Sequence, residues 1–377
     1  MRFYGILMGL VCCALSVRAQ IDCIWLSHKS NDLGKVVISW ESGKPGNSVV
    51  EFGATKELGQ KVTIDESVLL HHVEILVPAR GTAYFYKVSS GSESSAVHSF
   101  RTLPVEKLRV ALVANWQEHK NLDCLLKDDI HLLLTGGDNI DCLHKKCGAG
   151  VKDCIKPYSD LIRAYPKLFS SVLFLPALGN HDKEITPRGP KPPAEPVYDI
   201  DATAYRTFFE LPGDEWKWNL DIPEFDLRLI ALDIQHTSDM GTTWQTCHPY
   251  KKGTPQYEWY AKLLENPKPR FVVTIQNEKS GSIRSQDTPP LHTLFSKGTI
   301  AITGFGYFAE RADVDGFSYY NTSLGGKGAK YKDPKAAFFE SEDSYILMSL
   351  EAKAATMRVE IKDLSGKVLH AMDEPHK

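Results

Sequence analysis

Beyond Leu103-Pro104 the chain carries a series of short, nearly unbroken apolar runs, at 108–114, 130–134, 172–178, 227–232, 271–275 and 299–303. A strand with one wet face alternates apolar and polar residues, so runs without alternation predict strands covered on both faces. Helical stretches separate several of them. The clearest is 254–266, where Thr254 suits the cap, Pro255 the first turn, and Tyr257, Tyr260, Ala261 and Leu264 share one face. Strand–helix alternation predicts a layered α/β domain over 105–377, finished by strands within 345–372 joined at Asp363-Leu364-Ser365-Gly366. A composition of 42% hydrophobic and 24% charged residues supports such cores and excludes a largely disordered chain.

Residues 20–104 read differently. The runs at 36–40, 48–52, 72–77, 83–88 and 97–101 are β-branched, aromatic or alternating, with Gly43, Pro45, Gly46, Gly53, Gly81 and Gly91 between them. This pattern predicts a small all-β sandwich. His71-His72 carries no metal reading, because neighbours in a strand point to opposite faces.

The chain opens with Arg2, an apolar run over 3–17, and Val17-Arg18-Ala19. That layout predicts a secretory signal peptide over 1–19, hence a secreted or periplasmic protein with no stable membrane span after cleavage. A formal net charge of −3 offers no field to attract nucleic acid, so no nucleic-acid partner is expected. Removal of the leader takes Cys12 and Cys13 and leaves Cys23, Cys124, Cys142, Cys147, Cys154 and Cys247. In an oxidising compartment these read as disulfide partners rather than metal ligands, with Cys142, Cys147 and Cys154 tying down one long loop. Asn321-Thr322-Ser323 fits an N-glycosylation acceptor.

Ligands of layered α/β sheets sit beyond the carboxyl ends of the strands. The segments that follow the apolar runs are Asn115-Trp116-Gln117, then Gly136-Gly137-Asp138-Asn139-Ile140-Asp141, then Gly179-Asn180-His181-Asp182. Gln276-Asn277-Glu278 and Gly304-Phe305-Gly306-Tyr307 complete the set. This order of loops resembles the calcineurin-like metallophosphoesterase superfamily. The purple acid phosphatases are the nearest branch, since there too the catalytic domain follows a fibronectin type III-like sandwich. The resemblance implies two metal ions that clamp a phosphoryl group and activate a hydroxide. It assigns the bridging carboxylate to Asp138, a metal-ligating amide to Asn180, and assistance to the leaving group, as catalytic acid, to His181.

The remaining ligand positions depart from the family pattern. Asn115 and Gln117 stand where D-x-H or D-x-G is expected. Gln276, or Asn277 with a register slip of one, stands for a histidine, and Phe305 and Tyr307 stand for the two histidines of G-H-x-H. Amides suit hard cations weakly and transition metals poorly. A family-type dinuclear centre is therefore not expected. One divalent cation at Asp138 and Asn180 is, with Asn115, Gln117, Gln276, Asp141, Asp182 or Glu278 in support. Lys183, Arg188, Lys191 and Arg311 are candidates to bind a phosphorylated or other anionic small molecule.

Three readings follow. The chain is a secreted phosphoester hydrolase with a remodelled site, or a catalytically inactive phosphoesterase-fold protein that binds an anionic ligand or partner, or a fold whose remnant motifs only shape turns. His236, Cys247 and His248 form a second conceivable metal cluster, with Cys247 read first as a disulfide partner. Tyr198, Phe208, Phe209, Trp216 and Trp218 are read as packing beneath a long loop or as one wall of a cleft.

Overall fold

The computed structural model describes residues 21–189, 193–265, 267–285, 291–325, 328 and 331–376. The leader expected over 1–19 and Lys191 lie outside the described residues. In the N-terminal segment the strands are β1 (Ile24–Ser27), β2 (Lys35–Gly53), β3 (Gln60–Leu76), β4 (Ala83–Ser90), β5 (Glu93–Ser94) and β6 (His98–Arg101). Next come β7 (Lys107–Val113), β8 (Leu132–Thr135) and β9 (Leu173–Leu175). The second half holds β10 (Trp218–Ile222), β11 (Leu227–Ala231), β12 (Phe271–Gln276), β13 (Ile300–Thr303), β14 (Ala309–Val314), β15 (Phe317–Asn321) and β16 (Ala336–Glu340). β17 (Ser344–Glu351), β18 (Thr356–Asp363) and β19 (Val368–Pro375) close the chain.

Two mixed sheets result. In the first the order is β19-β18-β17-β7-β8-β9-β1-β2-β4-β5, and in the second it is β10-β11-β12-β13-β15-β14-β16. The apolar runs of the sequence are their centres: β7, β8 and β9 are parallel neighbours, as are β11, β12 and β13. Alternate residues of the second sheet face different cores. Leu229, Val273 and Ile302 join the large core that also contains Leu112, Leu134 and Leu175 of the first sheet. Ile230, Val272 and Ala301 pack instead with Tyr260 and Phe295 from the helices Pro255–Leu263 and Leu291–Phe295. Both faces are dry, which is why these strands read as unbroken apolar runs.

The N-terminal segment is all β, as expected, but its strands form one connected ladder that continues into the first sheet. The runs at 36–40 and 48–52 are a single strand, β2, with register shifts between Glu41, Gly46 and Ser48. β1 pairs antiparallel with β2 and, at Leu26↔Leu173, parallel with β9. Trp25 is fully buried and stacks on Phe208 with centroids 4.1 Å apart. The Tyr86 hydroxyl donates to Ser170 O at 2.8 Å, and Arg80 forms two hydrogen bonds with Glu224. His71 meets the hydroxyls of Ser42 and Ser48 at 2.8 Å each, while His72 meets Ser39.

Two sequence expectations are corrected here. Among the described residues only Cys147 and Cys154 are bridged, whereas Cys23, Cys124, Cys142 and Cys247 are buried free thiols. Each of the four is seated within the protein; the Cys23 thiol, for example, faces Ser159 O and that of Cys247 faces Gln235 O. Asn321 is buried on β15, where its Nδ2 donates to Phe308 O at 2.6 Å and its Oδ1 accepts from Phe305 N. A glycan on that nitrogen is incompatible with the folded chain.

This disulfide closes a short loop at the end of the helix His144–Cys147. Replacing both cysteines with serine is expected to cost about 2 kcal/mol, from the chain entropy restored to the unfolded state. A urea midpoint unchanged by the replacement, or by reduction of the native protein, would contradict this.

Candidate functional site

The five loops named above converge where β7, β8, β9, β12 and β13 end, and two glycines permit their approach. A Cβ at Gly179 would lie 2.1 Å from the backbone nitrogen of Asp138, and one at Gly304 would lie 2.4 Å from Gly136 O. Backbone hydrogen bonds from Asn115 N to Gly137 O and from Trp116 N to Asp138 O join the first two loops. Asp138 accepts from His181 N at 3.0 Å through Oδ1. Asp182, fully buried, accepts from Gly179 N at 2.8 Å, from Asn139 N at 3.1 Å and from Asn139 Nδ2 at 3.0 Å. The Gly179–Asp182 tetrad therefore locks the second loop to the third.

Arg188 reaches into this junction. Its Nε donates to Glu184 Oε2 at 2.8 Å, and its Nη2 lies 3.3 Å from His181 Nε2. With the Asn180 amide oriented by its partners, Asn180 Oδ1 accepts from Arg188 Nη2 at 2.6 Å. Opposite, the His181 Nδ1 contacts Asp141 O. A carbonyl can only accept and a guanidinium can only donate, so His181 carries its proton on Nδ1 and offers a lone pair at Nε2. In this arrangement the Nδ1 proton faces the Asp141 carbonyl.

The other nominal ligands are bonded within the protein, Asn115 and Asn277 as donors and Gln117 and Gln276 as acceptors. Asn115 Nδ2 donates to Gly304 O at 2.9 Å, and Asn277 Nδ2 donates to Gly136 O at 2.8 Å and Gly304 O at 2.9 Å. Gln276 Oε1 accepts from Glu278 N, and Gln117 Oε1 accepts from the Tyr307 hydroxyl at 3.0 Å. The Nε2 atoms of Gln117 and Gln276 are buried without a protein acceptor among the described residues. Burial and the nearby Asp138 charge raise the Tyr307 phenol, outweighing the opposing hydrogen bond to Gln117, so it stays neutral. Phe305 packs edge-on against Tyr331.

Such a donor set does not fit two metal ions. A cation needs lone pairs, whereas these positions present N–H groups and a guanidinium already bonded to the Asn180 oxygen.

Two of the expected anion-binding residues are engaged elsewhere. Lys183 is fully buried, its Nζ donating to Asp233 Oδ1 at 2.6 Å and to Gln235 Oε1 at 3.1 Å. Arg311, on β14, bonds Ser318 and Asp313 and lies 3.6 Å from Glu374 of β19. Arg188 alone of the described candidates stands at the loops. His248 and Cys247 do not assemble with His236: His248 donates to Asp233, and Cys247 faces Gln235 O. Phe208, Phe209 and Trp218 are core, Trp216 stacks on His248, and Tyr198 lies under Arg188.

One grouping escaped the sequence reading. Cys142, His144 and Glu184 bring three potential ligand atoms within 4.8 Å of one another. The C-x-H spacing was visible, but Cys142 was read as a disulfide partner and Glu184 lies beyond the tetrad.

No protein-family profile matches the chain, and no curated protein matches it. Solved structures do. The purple acid phosphatase isolated from yellow lupin (Lupinus luteus) seeds superimposes with a TM-score of 0.71 and 14% identity, covering 94% of this chain and 74% of that one. PhoD superimposes with a TM-score of 0.64 and 12% identity, covering 95% and 89%. The chain thus shares the fold of the lupin purple acid phosphatase and of PhoD along nearly its whole length.

Proposed function

We propose that this chain is a non-hydrolytic protein of phosphoesterase fold that binds an anionic group, of phosphate or carboxylate type, at the loops where the sequence resemblance places two metal ions. The observation that carries this reading is Arg188: its guanidinium bonds the nominal metal ligand Asn180 and the nominal acid His181. The arginine side chain keeps 34% of its surface exposed, and its Nη1 has no acceptor among the described residues. A guanidinium edge of this kind matches a phosphate or carboxylate. Hydrolysis through one cation on Asp138 and Asn180 is disfavoured, because Arg188 already places a positive charge against the amide oxygen. The same reading takes residues 1–19 as an export signal and 20–104 as the counterpart of a fibronectin type III-like module. The disulfide suits a secreted or periplasmic protein. Among the described residues no helix is long and apolar enough to cross a membrane.

Two measurements test the proposal. Phosphomonoester and diester hydrolysis is expected to stay at the buffer rate with added magnesium, manganese, zinc or iron. Inorganic phosphate is expected to raise the melting temperature of the metal-free protein, by an amount equivalent to about 2.7 kcal/mol at a hundred times its dissociation constant. Arg188→Met is expected to abolish that rise. Turnover that disappears in Asp138→Ala, or the absence of any rise with phosphate, would overturn the reading.

A further inference from the structure

We infer that Cys142, His144 and Glu184 form a zinc site, separate from the nominal dinuclear centre. Cys142 lies in the loop after β8, His144 opens the helix His144–Cys147, and Glu184 follows the turn His181–Lys183. Backbone bonds fasten the two stretches: Leu143 N and His144 N both donate to Glu184 O, and Gly150 N donates to Ile185 O. The Cys147–Cys154 bridge holds the far end of the same helix.

The donor atoms are already gathered. His144 Nε2 lies 3.3 Å from Glu184 Oε1, and all three potential ligand atoms fall within 4.8 Å of one another. Zinc bonds of about 2.0–2.3 Å in a tetrahedron place ligand atoms roughly 3.3–3.8 Å apart, so small side-chain adjustments close the site. Arg188 holds Glu184 Oε2 and leaves Oε1 turned toward His144, as an outer partner that orients a ligating carboxylate does. Cys142 is 3% exposed and Glu184 6%, which shields the ion from bulk water.

Thiolate, imidazole and carboxylate together select zinc over magnesium or calcium, and their two negative charges neutralise it. Three protein ligands leave a fourth position. Cys142 also lines a cavity of about 350 Å³ shared with Gln117, Asp141 and Lys145.

The full-length mature protein, stripped of metal and kept reduced at its free thiols, is titrated with cobalt(II) and separately with zinc. Cobalt is expected to give a thiolate-to-metal charge-transfer band together with the visible bands of four-coordinate cobalt(II). Zinc is expected to be retained through dialysis at about one equivalent per chain. Cys142→Ala should lose the charge-transfer band, and His144→Gln, at a partly exposed residue, should lose retention of zinc. Cys124→Ala, at a free thiol elsewhere, should keep both. Absence of the charge-transfer band in the native protein, zinc retention below roughly a tenth of an equivalent, or a band that survives in Cys142→Ala would overturn the assignment. Because the phosphate effect is read on metal-free protein, the two proposals fail independently.

Discussion

Lys183→Met is expected to destabilise the protein by about 3–5 kcal/mol, because it leaves the fully buried Asp233 carboxylate without its counter-charge. Asp233 also accepts from His248 N at 2.9 Å and His248 Nδ1 at 2.7 Å. Burial alone would raise this carboxyl, but the Lys183 charge and the His248 hydrogen bonds outweigh it and hold it down at about 2. A folded-state value below the unfolded one means that the group contributes stability above about pH 4. That contribution, about 2–3 kcal/mol, is lost as the pH falls through 2. In Lys183→Met the folded-state Asp233 carboxyl rises, so the loss of stability on acidification should shrink, and Lys183→Met with Asp233→Leu should recover part of the destabilisation. Chemical denaturation at neutral and acid pH measures both effects. A change under about 1 kcal/mol would show that the pair is not buried as a charge pair.

Asp182→Ala should cost about 3 kcal/mol or more, since Gly179 N, Asn139 N and Asn139 Nδ2 lose their shared acceptor in the interior. Burial and the neighbouring Asp138 charge push the Asp182 carboxyl up to about 8, against those N–H donors. Here the sign is opposite to that of Asp233. A raised folded-state value gives a contribution that is complete below about pH 4 and disappears as the pH rises through 8. Asp182→Asn, which cannot titrate, should flatten that decline. An equal slope in the asparagine variant would assign the pH dependence to other groups.

These residues also mark how far the sequence could be read. Apolar runs located β7, β8, β9, β11, β12 and β13, because strands dry on both faces leave a signal that local polarity cannot hide. β14 was invisible, since Glu310, Arg311 and Asp313 interrupt it, and so was the outer half of β3, where Gln60, Lys61, Asp65 and Glu66 carry little apolar face. The split of β2 into two runs reflected its register shifts, a bend that periodicity counts as a boundary. At the site, ligand loss was legible from residue types alone. What replaced the ligands was not. Arg188 lies beyond the tetrad, and only the fold of that loop brings it to Asn180. Lys183 sits next to the same motif and turns into the core, a direction that no spacing rule encodes. The cysteines misled for a related reason: an even count describes capacity for pairing, whereas pairing depends on Cα positions set by the fold.

The insertion of β1 between β9 and β2 has a consequence for how the chain is made. During vectorial synthesis β1 emerges on the order of 150 residues before β9, the strand it must lie beside, a delay of roughly 10–30 s at ordinary elongation rates. Trp25 and the open edge of β1 stay without their final cover throughout that interval. The earliest strand of the first sheet is therefore captured by one made much later, and the segment that looks most like a detachable module has to be kept from aggregating until β9 arrives.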